Sequence, residues 1–138
     1  MVLKVIDSVK RSIRLDGYSF TSPSVARALT AAKRRGIDVA VLLDDKGNRG
    51  KANIAAMNLV VRAGIPMRAI STYAIHHDKY IAVDGLHMET GSFNYSQAAA
   101  RSNSENVLVV WNGERLAARY AEHLNDRWRQ GVAVEVGF

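Results

Sequence analysis

The segment that most constrains the fold is residues 37–43 (IDVAVLL), a short run rich in β-branched and apolar side chains. Such runs are typical of strands that are covered on both faces. A helix is predicted directly before it, because Thr21 or Ser22 can cap its start, Pro23 suits its first turn and Gly36 ends it. A buried strand that follows a helix predicts helices packed on both faces of a sheet.

Predicted helices and strands also alternate along the rest of the chain. Apolar residues at helical spacing predict helices over residues 2–11, 52–63 and 116–128. Short apolar or alternating runs predict strands over residues 13–20, 65–70, 79–83, 87–90 and 106–111, with tight turns at residues 44–51 and at Asp84-Gly85. We therefore expect an α/β fold, an α/β/α sandwich with a mixed central sheet, formed by residues 1–138 as a single domain.

Charge and composition narrow the function classes. The chain has 19 Lys and Arg against 13 Asp and Glu, which gives a net charge of +6. This balance favours an anionic partner such as nucleic acid or a lipid headgroup, although a merely soluble basic surface is the alternative. The absence of cysteine excludes disulfides, thiolate zinc sites and a cysteine nucleophile. No apolar stretch approaches the roughly 20 residues that a membrane-spanning helix needs, so no membrane span is predicted.

Residues 77–84 (HDKYIAVD) have the form H-x-K-x4-D, and Gly91-Ser92-Phe93-Asn94 follows them. In an extended segment, side chains two residues apart share a face, so His77 and Lys79 are predicted to point at one pocket while Asp78 points away. A neutral imidazole can attack phosphorus, and an ammonium, a hydroxyl and an amide can hydrogen-bond the phosphate oxygens as charge builds. The pattern indicates phosphoryl chemistry.

These residues resemble the phospholipase D superfamily, whose signature is H-x-K-x4-D followed by G-[SG]-x-N, and in particular its small bacterial Nuc-type endonucleases. The resemblance implies a phospholipase D/nuclease-like half-unit that needs no metal and no cofactor. It makes His77 the motif histidine, Lys79 its phosphate-binding lysine, and Ser92 and Asn94 further phosphate ligands. Glu105 would orient an imidazole, a task that suits a carboxylate bonded to a ring nitrogen.

Asp84 and Gly91 match the signature but are expected to have structural roles. Asp84 lies five residues beyond Lys79, on the opposite face of a predicted strand and far from the pocket. It is therefore predicted to accept hydrogen bonds at its turn and not to act as an acid or base.

The superfamily mechanism uses two H-x-K motifs, and this sequence contains one. The resemblance therefore implies a symmetric homodimer with a composite site, where one His77 forms a phosphohistidine and the other protonates the leaving oxygen. The expected function is that of a non-specific endonuclease acting on DNA, with RNA left open. Two alternatives remain: a phospholipase D-type phospholipid hydrolase, and a catalytically idle nucleic-acid-binding dimer.

The turn at residues 44–51 carries charges of both signs. Lys46, Arg49 and Lys51 are candidate contacts to a nucleic-acid backbone, with a solvated turn as the alternative. Asp44 and Asp45 suit a divalent metal, but the Gly-rich setting favours solvated loop charges over a metal site.

The remaining histidines and tryptophans are predicted to be structural. His76, His87 and His123 are assigned no function, and Trp111 and Trp128 are interpreted as core residues rather than as a base-stacking platform.

Location follows from the resemblance alone. It implies a periplasmic or secreted protein with an export signal and a further strand before the first helix, neither of which is visible in this sequence. A periplasmic or secreted location is therefore the expectation from the resemblance, with a cytoplasmic location as the alternative.

Overall fold

A computed structural model describes residues 1–136 and shows one seven-stranded sheet with the order β6-β5-β4-β1-β2-β3-β7. The strands are β1 (Ser12–Gly17), β2 (Asp38–Asp44), β3 (Met67–Ile70), β4 (Tyr80–Val83), β5 (His87–Gly91), β6 (Val107–Val110) and β7 (Val132–Ala133). The α-helices are α1 (Val2–Asp7), α2 (Pro23–Arg34), α3 (Lys51–Arg62), α4 (Gln97–Arg101) and α5 (Glu114–Gln130), and a short 3-10 helix spans Lys46–Asn48.

The sheet is mixed. Strands β1, β2 and β3 are parallel neighbours, and helices α2 and α3 make the crossovers between them. Strand β4 pairs antiparallel with β1, and β5 and β6 continue as an antiparallel meander on that side. Strand β7 pairs antiparallel with β3 at the other edge.

Helices cover the two faces of the sheet unequally. Helices α1, α2 and α3 pack on one face over the larger core, which includes Leu15, Val41 and Ile81 from the central strands. On the other face, α5 buries Ala117 and Leu124 against a second cluster formed by Tyr80, Ala82 and Met88. The predicted α/β/α arrangement with a mixed sheet is therefore confirmed.

Helix α2 follows the sequence prediction closely. The side chain of Ser22 accepts a hydrogen bond from the backbone N–H of Val25, Pro23 occupies the first turn, and the chain leaves the helix at Gly36 with a φ of 88°. Substituting such a cap with alanine typically costs about 1 kcal/mol.

Several features differ from the sequence prediction. Helix α1 ends at Asp7 rather than at residue 11, because the chain turns there so that backbone N–H groups of residues 10–12 can donate to Asp84. Helix α4, strand β7 and the 3-10 helix were not predicted, since each is too short to show a period. Trp111 is 43% exposed at the end of β6, so its interpretation as a core residue is wrong, whereas Trp128 does pack against the second cluster.

Among residues 1–136, no helix is both long and apolar enough to cross a membrane.

Candidate active site

The strand directions bring the separated parts of the motif to one edge of the sheet. Strand β4 runs antiparallel to β1, so the residues before β4 meet the carboxyl ends of β1 and β2. The next two strands alternate in direction, which places the end of β5 and the start of β6 at the same edge. His77 and Lys79 precede β4, Gly91 ends β5 and Glu105 precedes β6. Topology alone therefore gathers these segments.

A cavity of about 480 Å³ opens at this edge. It is lined by His77, Asp78, Lys79, Tyr80, Thr90, Gly91, Arg119, Tyr120 and His123. His77 is exposed to it and Lys79 is half-buried. The H-x-K segment thus forms one wall, the end of β5 forms a second, and α5 forms a third.

His77 and Lys79 share one side of their extended segment, as predicted. Both contact the ring of Tyr18: the imidazole meets it edge to face at 4.8 Å, and the Lys79 Nζ lies 5.8 Å from its centroid. The same Nζ donates a hydrogen bond of 3.0 Å to the backbone carbonyl of His77. Burial lowers the pKa of Lys79, against the opposing charges of Asp78 and Glu105.

The residues on either side of His77 are held by other elements. His76 is buried, its ring Nε2 lies 2.5 Å from Asp16 Oδ1 on β1, and its backbone N–H donates to Asp44 at the end of β2. Asp78 was predicted to point away from the pocket, and that prediction is wrong: it lines the same cavity as His77, and its Oδ2 lies 2.6 Å from His123 Nε2 on α5. His77 is therefore exposed on a segment that is fixed on both sides, which limits the positions its ring can take.

The buried pair beneath the site has shifted pKa values. Burial raises the pKa of Asp16, whose side chain is fully inaccessible. Burial alone would lower the pKa of His76, but its hydrogen bond to Asp16 and the charges of Asp16 and Asp78 outweigh that effect and raise it. The pair therefore favours retention of a proton on His76.

Asp16, Asp78 and His123 form the one group among residues 1–136 whose ligand atoms lie close enough for a cation, all within 4.8 Å of one another. In this arrangement the two carboxylates are already paired with His76 and His123. The group was not foreseen from the sequence, which pointed to Asp44 and Asp45 as the metal alternative.

Ser92 and Glu105 meet directly. The Ser92 hydroxyl donates to Glu105 Oε2 and accepts the backbone N–H of Asn106, while Asn103 Nδ2 donates to Glu105 Oε1 at 3.2 Å. The carboxylate is thus bonded to Ser92 and Asn103, and orientation of an imidazole by Glu105 stays a prediction. The side-chain oxygen of Asn94 is buried and accepts no hydrogen bond from residues 1–136.

Asp84 and Gly91 lie where they shape the backbone. The carboxylate of Asp84 accepts hydrogen bonds from the backbone N–H groups of Lys10, Arg11 and Ser12, and these bonds lower its pKa against the opposing effect of burial. A Cβ at Gly91 would lie 2.1 Å from the carbonyl oxygen of Asn106, so only glycine lets β6 approach β5 here. Asp84 lies at the opposite end of β4 from His77 and lines no part of the cavity.

The turn after β2 is more ordered than predicted. Asp44 is buried and accepts the backbone N–H groups of Gly47 and His76, so its interpretation as a solvated loop charge is wrong. Asp45 pairs with Arg49 at 2.6 Å. Lys46 and Lys51 are exposed cations on the same turn. The turn adjoins the site, because a Cβ at Gly47 would meet the Tyr18 ring at 2.8 Å.

Several site residues were missed or set aside from the sequence. Asp16, Tyr18 and Arg119 received no role, and His76 and His123 were assigned none, yet all five lie at or directly beneath the cavity. No short motif marks them. His123 and Arg119 are four residues apart on a predicted helix, and only the packing of α5 on the sheet shows that this side faces the site.

Comparisons with known proteins agree with this geometry. The profile of the family described as "Cardiolipin synthase, PLD-like domain" matches residues 2–128. The crystal structure of a phospholipase D family member, Nuc from Salmonella typhimurium, is 51% identical, superposes with a TM-score of 0.96, and is matched over 97% of this chain and 88% of its own.

Curated relatives are more distant. A phospholipase D of Rickettsia bellii is 33% identical over 91% of this chain and 62% of its own length, and a mitochondrial cardiolipin hydrolase of Xenopus laevis is 35% identical over 73% and 47%. The chain thus spans about half to three-fifths of the length of these relatives. With the profile match over nearly the whole chain, these findings show that the protein belongs to the PLD-like family of the phospholipase D superfamily.

Proposed function

We propose that this chain is one subunit of a metal-independent phosphodiesterase that acts as an endonuclease of low sequence specificity. The observation that carries the proposal is the exposed His77 imidazole beside the half-buried Lys79 ammonium in one cavity, on a segment anchored on both sides. The 51% identity to Nuc supports the same reading.

In the proposed reaction, a ring nitrogen of His77 attacks phosphorus and forms a P–N bond while the P–O bond to the leaving group breaks. A second imidazole, in its protonated form, supplies the proton that the leaving oxygen takes up. Water then attacks phosphorus, its proton returns to that second imidazole, and the P–N bond breaks. Lys79, Ser92 and Asn94 bind the non-bridging oxygens, and Glu105 orients an imidazole.

The second imidazole is proposed to be His77 of a symmetric partner copy. In-line displacement puts the nucleophile and the leaving group on opposite sides of phosphorus, so one imidazole cannot serve both at once. The single H-x-K motif in the sequence supports a homodimer with a composite site.

Nucleic acid is the proposed substrate because of the charge around the site. The chain carries a net charge of +6, and Lys46 and Lys51 extend from the turn that adjoins Tyr18. Such cations hold a phosphate backbone without reading bases, which predicts low sequence specificity and binding that weakens with salt. Arg49 contributes less, since it pairs with Asp45. A periplasmic or secreted location stays a prediction.

The proposal is tested by cleavage of plasmid DNA and of a single-stranded oligonucleotide in excess EDTA. The native protein should cut at least one of them, and His77→Ala should lower the rate by at least 1,000-fold, roughly the effect of losing a catalytic nucleophile. Cutting that His77→Ala retains would refute the site assignment, and cutting that stops in EDTA would refute the metal-free chemistry.

A second candidate function is hydrolysis of phospholipid headgroups, favoured by the names of the Rickettsia and Xenopus relatives. Release of headgroup from vesicles that contain cardiolipin or phosphatidylcholine, with both nucleic acids left intact, would establish it. A third, an idle nucleic-acid-binding dimer, predicts oligonucleotide binding with no cleavage of any of these substrates.

A further inference from the structure

The wall of the cavity that faces the H-x-K segment is formed by α5. Arg119 and His123 lie one helical turn apart on this helix, and both line the cavity. Arg119 is exposed, and among residues 1–136 it has no hydrogen bond, ion pair or ring contact. It is thus a free cation in the same cavity as His77 and Lys79.

The charges in the cavity favour an anion with more than one phosphate. Asp78 is the one carboxylate that lines it within the described part of the chain, and its Oδ2 is bonded by His123. His123 thus satisfies one oxygen of this carboxylate, and Lys79 and Arg119 are cations on different walls of the cavity. A single phosphodiester at His77 needs Lys79, whereas Arg119 remains available to a second phosphate.

The lining also indicates which molecule supplies that second phosphate. No Val, Leu, Ile, Met or Phe of residues 1–136 lines the cavity, and its aromatic surface comes from Tyr80 and Tyr120, so it offers no aliphatic groove for an acyl chain. The apolar groove formed by Val2, Val25 and Phe93 shares no lining residue with it. A nucleic-acid strand, which is charged along its whole length, fits such a polar cavity better than a lipid does.

We propose that Arg119 binds the phosphate next to the scissile one in a nucleic-acid strand, so that α5 supplies a binding subsite on one side of the reacting centre. The proposal rests on the proposed nuclease function. It also specifies that the nucleic-acid strand runs along the α5 side of the cavity. The planar guanidinium of arginine suits two parallel hydrogen bonds to a phosphate, which the ammonium of lysine cannot make.

The test compares two substrates that differ in the number of phosphates. Bis(p-nitrophenyl) phosphate has one phosphorus, and a short fluorescent oligothymidylate has several. The measured quantity is the ratio of kcat/KM for the oligothymidylate to kcat/KM for the small diester, for the native protein, Arg119→Ala, Arg119→Lys and Arg115→Ala. Arg115 is a matched control, because it is an exposed arginine one turn earlier on α5 and does not line the cavity.

We expect Arg119→Ala to lower this ratio about tenfold, Arg119→Lys to lower it less, and Arg115→Ala to leave it within about twofold. Binding of the labelled oligothymidylate, followed by fluorescence anisotropy in EDTA, should show a salt dependence whose slope is smaller by about 0.7 for Arg119→Ala, as for one lost phosphate contact in a single strand.

Other outcomes overturn the subsite. An unchanged ratio with an unchanged salt slope means that Arg119 touches no second phosphate, and an equal loss on both substrates places Arg119 at the reacting phosphorus instead. If Arg119→Ala impairs cleavage of cardiolipin vesicles but not of the oligothymidylate, the second phosphate belongs to a lipid. A native protein that neither binds nor cuts the oligothymidylate refutes the nuclease function itself, whereas native binding that Arg119→Ala matches refutes the subsite alone.

Discussion

His123 supports the site through one hydrogen bond. Its Nε2 meets Asp78 Oδ2 at 2.6 Å, and both side chains are about one-third exposed. Solvent screening makes such a pair a small contribution to stability. Its larger effect concerns the substrate, since an unpaired Asp78 carboxylate in the cavity would repel a phosphate.

We therefore expect His123→Ala to lower kcat/KM for an oligonucleotide about five- to tenfold, with a change in unfolding free energy below about 1 kcal/mol. If the unpaired charge is the cause, adding Asp78→Asn to His123→Ala should restore much of the activity. His87→Ala is the matched control, because His87 lies at the other end of β5, beside Trp111. A double variant no more active than His123→Ala would show that anchoring, and not charge, explains the loss.

At the scale of the elements, the junction of β5 and β6 depends on Gly91. The backbone N–H of Ser92 donates to the carbonyl of Asn106 at 3.1 Å, and this close approach also brings the Ser92 hydroxyl to Glu105. A side chain at residue 91 would occupy the space that the Asn106 carbonyl now fills.

Gly91→Ala should therefore destabilise the protein by about 3 kcal/mol, the upper end of the usual cost of overpacking, and should also lower activity by displacing Ser92 and Glu105. Gly85→Ala separates this effect from backbone strain, because Gly85 has a φ of 64° but open space around it. The comparison uses urea unfolding of both variants. A loss for Gly91→Ala no larger than the roughly 1 kcal/mol expected for Gly85→Ala would contradict the steric argument.

The elements that the sequence predicted are those with a long or strongly marked pattern. The capped helix before residues 37–43, the strand at residues 79–83 and the helix at residues 116–128 all appear in the structure. Short elements such as α4 and β7 were not predicted, because segments of five and two residues are too short to show a hydrophobic periodicity. Strand β1 ends at Gly17 rather than at residue 20, since Phe20 makes one isolated bridge to Tyr95 instead of continuing the ladder.

The shared side of His77 and Lys79 was also predictable, because side chains two residues apart in an extended chain share a face, whereas Asp78 lines the same cavity instead of pointing away from it. The supporting residues were not. Asp16 and Tyr18, near the end of β1, and His123 on α5 come from two distant parts of the chain, and only the pairing of strands and the packing of α5 bring them to His77. Asp44 reads as a loop charge in the sequence and becomes buried because Gly47 and His76 both turn their N–H groups toward it.

For the whole molecule, Glu89 connects stability to pH. This carboxyl lies fully buried on β5, accepts the Tyr95 hydroxyl at 2.7 Å, and has one oxygen without a partner among residues 1–136. Burial raises its pKa to about 7, from an ordinary value of 4.5, although the bond from Tyr95 opposes the shift. The raised pKa of His76 acts on stability in the same direction.

The folded protein binds the proton of the Glu89 carboxyl more tightly than the unfolded chain does. The contribution of this proton to the free energy of unfolding is therefore present at low pH and is lost as pH rises through about 7. The loss amounts to at most about 3 kcal/mol. We expect the melting temperature to fall from pH 5 to pH 8, and Glu89→Gln to reduce that fall. Glu122→Gln, on the exposed side of α5, is the control. A fall that Glu89→Gln leaves as steep as in the native protein would rule out Glu89 as its source.

The side chain of Asn48 joins the ends of two strands in one small network. Its oxygen accepts the backbone N–H of Phe20 and the amide of Asn53, and its Nδ2 donates to the carbonyls of Tyr18 and Asp44. Breaking any one of these bonds leaves a buried polar group unsatisfied, so the separation of one segment alone is energetically unfavourable. The floor of the site should accordingly open as one cooperative unit, with the amide hydrogens of Phe20, Gly47 and His76 exchanging with solvent at a common rate slower than that of neighbouring surface loops.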